Sequence, residues 1–279
     1  MTHPPKDRPE QAHPEKPRSQ IRLDKLLVDH GHAASRERAQ ALILAGRVLV
    51  DEQRIDKPGT SVPAAAVIRL LGSDLKYVSR GGLKLEHALT HWHIDLTGLH
   101  CLDIGASTGG FTDCMLQSGA ATVLAVDTGY GQIAQKLRSD PRVTLRERTN
   151  ARLLTPGELL ETEIPATTQS SKLKAPSFLA MDVSFISATL VLPAVLAALG
   201  TPNHPWQGEA VILIKPQFEA GRENIAKGGI VRDPKARQFA INRVRDSVTE
   251  QHGTNIEVID SPIHGMEGNH EYLLHTRFG

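Results

Sequence analysis

The sequence predicts an α/β protein: a doubly wound, largely parallel sheet preceded by a small α+β module. Three observations predict it. Strand-patterned and helix-patterned segments alternate from residue 79 to residue 279, the order that β-α-β units require. Within them, residues 101–111 read as a strand, a glycine-rich turn and a helix, the place where open α/β sheets take their ligands. Ahead of them, residues 21–70 hold two short helical stripes and a few strand patterns, enough for a marginal, self-contained module.

The 279 residues carry 32 Lys and Arg against 31 Asp and Glu, a formal charge of +1. That balance excludes a histone-like polycation and leaves room for a local basic patch. Aromatic residues make up 4%, which argues against a single-strand binder built from many stacking rings. Cys101 and Cys114, the two cysteines, form neither a disulfide framework nor a CxxC zinc site. Both lie in apolar segments and read as buried free thiols of a cytoplasmic protein. The longest uncharged apolar stretch, 186–199, is shorter than the ~18 residues of a membrane span and contains Pro193. Residues 1–20 lack the apolar core of a signal peptide.

Taken in order, residues 1–20 hold five prolines, seven charges and no large aliphatic side chain, and are expected to be a disordered tail. Leu23, Leu26 and Leu27 then mark a helix stopped by Gly31; Ser35 N-caps a second with Ala39, Leu42 and Ile43 inward and Gly46 at its end. Val48 to Val50 read as a strand, 51–53 as a polar turn and 62–71 as extended chain. Arg36 and Arg38 open the second helix and Arg47 follows it, a candidate phosphate-contacting face. The module resembles the S4-like RNA-binding domain through Arg22-Leu23-Asp24-Lys25-Leu26-Leu27, Ser35-Arg36-x-x-Ala39 and Gly46-Arg47-Val48-x-Val50. Where that family commonly has Asn-Gly after the strand, this chain has Asp51-Glu52. The resemblance implies RNA contact by Arg22, Lys25, Arg36, Arg38 and Arg47, to which Arg80 is added from beyond the module.

Residues 71–78 read as a connector. Strands are expected at 100–104, 123–127, 143–147, 178–182, 210–215, 257–260 and 273–276, with helices at 110–118 and 132–139 and another opened by Asp233-Pro234. Residues 161–177 are polar and read as a surface insertion.

The turn Asp103-Ile104-Gly105-Ala106-Ser107-Thr108-Gly109-Gly110-Phe111 follows neither the dinucleotide spacing nor the Walker spacing. Asp127 ends the next strand, 24 positions after Asp103, where a carboxylate can accept hydrogen bonds from ribose hydroxyls. A glycine turn with a distal acid and no phosphate cradle fits S-adenosylmethionine, a nucleoside without phosphates. Four charged residues then fall at positions suited to a site: Lys84 near the start of the sheet region, Asp182 and Lys215 at strand ends, and Glu271 before the last strand. Single strand-end charges are often plain salt bridges; four together make an electrostatically sensible cluster.

Residues 79–279 resemble the FtsJ-like ribose 2′-O-methyltransferases, whose Lys-Asp-Lys-Glu tetrad corresponds to Lys84, Asp182, Lys215 and Glu271. With the S4-like module, and with YVSRGGLKL, LDIGASTGGFTD, DVSFIS, KPQFE and AKGGIVRDP, the chain is similar to the TlyA family, whose members also bear the name haemolysin A. The resemblance implies a Rossmann-like class I S-adenosylmethionine-dependent sheet at 79–279, an S4-like domain at 21–70, and methylation of cytidine ribose in 16S and/or 23S ribosomal RNA. Ribosomal RNA or ribosomal subunits are the implied partners, with no membrane. Lys215 would act as base or steer the hydroxyl, Asp182 would orient it beside the sulfonium, and Glu271 would hold the lysines.

His87, His91 and His93 lack a metal-ligand pattern, and no metal is expected. Lys227-Gly228-Gly229 reads equally as a lid or a plain turn. Two other readings compete. One is a non-catalytic RNA-binding or ribosome assembly factor, which the complete tetrad opposes. The other is a membrane-active haemolysin, which lacks a span, a signal peptide and a strongly cationic amphipathic helix.

Overall fold

The computed structural model describes residues 20–33, 35–71, 76–160, 175–226, 228–265 and 268–279. The expected tail, apart from Gln20, lies outside the described residues, as do 72–75 of the connector, 161–174 of the polar insertion, and Lys227. The chain divides between residues 74 and 75 into two compact units.

The first unit runs β1 (Gln20–Arg22), α1 (Leu23–Asp29), α2 (Arg36–Leu44), β2 (Val48–Val50), β3 (Gln53–Arg54), β4 (Ser61–Pro63) and β5 (Ile68–Leu70). Leu23, Leu26 and Leu27 of α1 pack with Ala39, Leu42 and Ile43 of α2 in one small core with Val48 and Val50. Ser35 Oγ accepts from Arg38 N at 3.2 Å, the expected N-cap. At the other end Gly46 takes a left-handed φ of 64°. The stretch expected to be continuously extended at 62–71 instead breaks after Pro63, where Ala66 N closes a turn onto the Pro63 carbonyl at 2.9 Å. The chain forms two antiparallel sheets, β1-β4 and β3-β2-β5.

Asp51 and Glu52 both adopt positive φ, 49° and 64°, the hairpin geometry that Asn-Gly ordinarily fills. Side-chain bonds hold them there. Asp51 Oδ1 accepts from Val67 N at 2.9 Å, and Glu52 accepts two hydrogen bonds from Arg69. The departure from the S4 pattern therefore keeps the turn.

The second unit runs α3 (Gly81–His91), β6 (His100–Ile104), α4 (Gly110–Gln117), β7 (Thr122–Val126), α5 (Gln135–Arg138), β8 (Val143–Arg146), β9 (Phe178–Met181), α6 (Ala188–Leu199), β10 (Gly208–Ile214), α7 (Pro216–Glu219), α8 (Pro234–Glu250), β11 (Thr254–Asp260) and β12 (Tyr272–Phe278). The strands form one seven-stranded sheet in the order β11-β12-β10-β9-β6-β7-β8. β6 to β10 are mutually parallel; β12 is antiparallel to both its neighbours. Alternate strand residues face opposite layers, as period-2 geometry dictates. Cys101, Val123, Ala125, Phe178 and Val211 meet α3, α4 and α5, while Leu102, Ile104, Leu124, Leu179 and Ile212 meet α6 and α8. Cys101 and Cys114 are buried free thiols. Among the described residues no helix is long and apolar enough to cross a membrane.

Three helices exceed the sequence reading, the four-residue α7 among them. α6 occupies the apolar stretch containing Pro193, capped by Ser187. α3 starts on Gly81-Gly82, poor helix formers, and at Gly82 a side chain does not fit. A Cβ on Gly82 would stand 2.3 Å from the Tyr77 ring, and one on Gly110 would stand 2.9 Å from Gly82 N. The helix expected at 132–139 shortens to the four residues of α5.

Where β6 ends, Gly105 has φ 87° and a Cβ would lie 2.3 Å from the Asp182 carbonyl oxygen. Neither backbone can yield without breaking the Asp182 N to Ile104 O hydrogen bond at 2.9 Å. Gly105→Ala is expected to destabilise the chain by more than about 2 kcal/mol, read as a lowered midpoint in urea unfolding; an unchanged midpoint contradicts this account.

Candidate active site

Chain order reverses between β6 and β9: from β6 the chain moves outward through β7 and β8, then returns to β9 on the other side. Ligands of open α/β sheets bind at such a reversal, beyond the carboxyl ends of the strands. A cleft of about 780 Å³ opens there. The turn after β6 supplies Gly105, Ala106, Ser107, Thr108, Gly110 and Phe111 to its wall; Asp127 follows β7, Asp182 follows β9 and Lys215 follows β10. Because β12 runs antiparallel to β10, Tyr272 pairs with Ile214, and Glu271 therefore arrives at the same edge. Lys84 reaches the cleft from the first turn of α3.

The four charged residues form two ion pairs rather than one undivided cluster. Lys84 Nζ donates to Glu271 Oε2, with both side chains at least nine-tenths buried. Lys215 Nζ donates to Ser184 Oγ at 2.6 Å and stands 2.6 Å from Asp182 Oδ1, outside hydrogen-bonding angles. Glu271 thus holds Lys84, and Asp182 and Ser184 hold Lys215.

Asp127 is fixed by the backbone: Oδ2 accepts from Ser107 N at 2.8 Å and Oδ1 from Gly129 N at 2.6 Å. Each carboxylate oxygen keeps a further lone pair for a ligand hydroxyl. Asp103, expected among the ligand contacts, does not line the cleft. It is fully buried, turned into α4 to accept from Thr112 Oγ1 at 2.6 Å, and Oδ1 has no hydrogen-bond partner among the described residues. Gly109 is also off the surface, its φ of 94° forming the N-cap of α4 against Ile133 and Leu137. Arg80, exposed at the N-cap of α3, lines the cleft. The other basic candidates lie in the first unit: Arg22, Lys25 and Arg36 exposed, Arg38 and Arg47 half-buried, with Arg47 Nε donating to Leu71 O at 2.9 Å.

Three residues escaped the sequence reading. Ser184 holds Lys215. Phe185 is 93% exposed with φ 65°, its ring centroid 5.6 Å from that of Phe218, and both line the cleft. Glu219, buried, accepts from Ser187 Oγ and from Ala188 N at 2.7 Å, tying the segment after β10 to the start of α6. The DVSFIS and KPQFE blocks contain all three, but no sequence signal separates contact residues from braces. His87 and His91 lie on α3 with ring centroids 6.3 Å apart, and among the described residues no cluster of three His, Cys, Asp or Glu could hold a metal.

The FtsJ-like methyltransferase family model matches residues 77–278 and the S4 domain model residues 21–68. The 16S/23S rRNA (cytidine-2′-O)-methyltransferase TlyA of Mycobacterium tuberculosis is 40% identical over 92% of this chain and 89% of its own length. The chain belongs to the TlyA family. Hemolysin A of Brachyspira hyodysenteriae is 39% identical over 91% of this chain and 99% of its own. A solved structure from Streptococcus thermophilus, also named for haemolysin, is 40% identical with a TM-score of 0.66, covering 94% of this chain and 89% of that one.

The sheet unit is a methyltransferase with S-adenosylmethionine as methyl donor. The cleft fits that group: a backbone-fixed carboxylate at Asp127 suits a ribose diol, Asp182 offers negative charge to a sulfonium, and the turn 105–110 has no basic side chain for phosphates.

Burial pushes the Asp103 carboxyl up to about 7, with the charges of Asp182 and Asp127 adding to it. Its proton is bound more tightly in the folded chain, so this group's stability is complete below about pH 4 and lost as pH rises through about 7. His275 acts in the opposite sense, because burial lowers its pKa. The wild type is therefore expected to lose thermal stability relative to Asp103→Asn between pH 4.5 and pH 7.5 (on the order of the ~4 to ~7 window), measured as the difference in Tm of ligand-free protein. A flat difference contradicts this assignment.

Proposed function

We propose that the chain methylates the ribose 2′-hydroxyl of a cytidine in ribosomal RNA, of the 16S type, the 23S type or both. The observation that carries this reading is the pair of carboxylate-held lysines, Lys84–Glu271 and Lys215–Asp182, walling one cleft beside the Gly105 turn. S-adenosylmethionine, held by Asp127 and the 105–108 turn, supplies a methyl group already activated on sulfur.

The chain's own residues align the acceptor and handle its proton. Lys215, its Nζ fixed by Ser184 and Asp182, holds the 2′-oxygen by donating to one lone pair, which leaves the other for the methyl carbon. As the new C–O bond forms and the C–S bond breaks, the oxygen becomes strongly acidic and its proton leaves to Asp182 or to water. Lys84, neutralised by Glu271, donates to the ribose or the adjoining phosphate. Phe185 presents a bare ring face at the cleft, a stacking surface for a nucleotide drawn out of its helix. The first unit, with its exposed arginines, contacts folded RNA through phosphates, and ribosomal RNA as substrate places the work in the cytoplasm.

Transfer of labelled methyl to ribosomal subunits from cells lacking the protein tests the reading; label in neither subunit overturns it. Lys215→Ala is expected to lower kcat at least about a hundredfold while calorimetric affinity for S-adenosylhomocysteine stays within about twofold. Phe185→Ala is expected to raise KM for the subunit about tenfold, the scale of one lost base stack, with cofactor affinity unchanged.

A further inference from the structure

Asp24 is fully buried in the first turn of α1. A lone buried carboxylate is costly, and this one is surrounded by donors. Oδ1 accepts from Arg22 Nε at 3.1 Å; Oδ2 accepts from Arg22 at 2.8 Å, Arg36 at 3.0 Å and Gln40 Nε2 at 3.1 Å. Arg22, with Gln40 and Arg36 after it, keeps the carboxyl ionised well below the usual carboxylate range.

The two arginines sit 14 positions apart in different elements, before α1 and at the start of α2, yet donate to the same oxygen. Both side chains stay about half exposed, at 53% and 54%. Each guanidinium has five N–H donors; Arg22 gives two to Asp24 and Arg36 gives one. The others have no hydrogen-bond partner among the described residues. The negative charge is thus buried while the positive charge faces water.

We infer that Asp24 is a positioning residue for RNA, fixing Arg22 and Arg36 as a single two-guanidinium fork for one backbone phosphodiester. The inference rests on the proposed RNA-modifying function and adds to it the group that pre-organises the contact. A planar guanidinium recognises phosphate in two-pronged fashion, which an ammonium cannot do. Long side chains anchored from inside also lose less freedom when the phosphate arrives.

The test is filter binding of the full chain to purified ribosomal subunits across a salt series. Asp24→Asn removes one negative charge, so charge alone predicts tighter binding; positioning predicts binding at least about fivefold weaker, with S-adenosylhomocysteine affinity unchanged. Arg22→Lys and Arg36→Lys keep the charge and are half-exposed substitutions, so they report even where Asp24→Asn fails to fold. Each is expected to weaken binding about three- to tenfold with the salt slope unchanged. Equal or tighter binding by Asp24→Asn, or wild-type affinity in both lysine variants, overturns the inference and leaves methyl transfer intact. Absence of subunit binding by the wild type overturns the functional reading together with it.

Discussion

Ile104 and Asp182 leave neighbouring parallel strands side by side, joined by a hydrogen bond from Asp182 N to Ile104 O at 2.9 Å. The chain after Ile104 must then turn away across the face of Asp182, and only a residue without a Cβ can do so. From this crossing the other positions follow. The turn after Gly105 is presented to the cleft, Asp127 is drawn in by Ser107 N, and Asp182 is left at the rim with Lys215 from the next strand beside it. The antiparallel β12 completes the edge by delivering Glu271 to Lys84.

The energetic character of the cleft differs from that of the core. Two nearly buried ion pairs contribute little net stability, since desolvation offsets most of their attraction. Leaving one partner alone would be far worse, so each lysine is tied to a defined place by its carboxylate. Pairing also explains why Ser184 and Glu219 matter: one accepts the hydrogen bond that Lys215 does not give to Asp182, and the other braces the segment that carries Ser184 and Phe185. These polar ties add to the packing of Val183 and Ile186 on the core in fixing that wall of the cleft.

Much of this was legible in the residues. Short apolar runs located the strands, and the glycine turn with Asp127 located the cleft, because those signals are local. Lys84, Asp182, Lys215 and Glu271 could be named as positions, and the resemblance implied Asp182 beside Lys215, but that Glu271 holds Lys84 alone could not be read, since it depends on the reversed direction of β12. Asp103 misled for a similar reason: its strand position fixes which face it takes, while only the packing of α4 shows that Thr112 meets it there. α3 was hidden by Gly81-Gly82, whose low helix propensity masks its start, although the Tyr77 ring leaves room for nothing larger than glycine at 82. The Asp51-Glu52 turn kept its shape through bonds to Val67 and Arg69 that lie across the sheet.

The placement of β12 between β10 and β11 has a consequence for timing. β11 leaves the ribosome before the strand it must pair with, so its edge waits unzipped until residues 272–278 have been made. The same late residues bring Glu271 to Lys84, 187 positions upstream. A nascent chain therefore carries its glycine turn and both lysines long before the charged wall of the cleft is complete, and assembly finishes only when the sheet's inserted strand slides home.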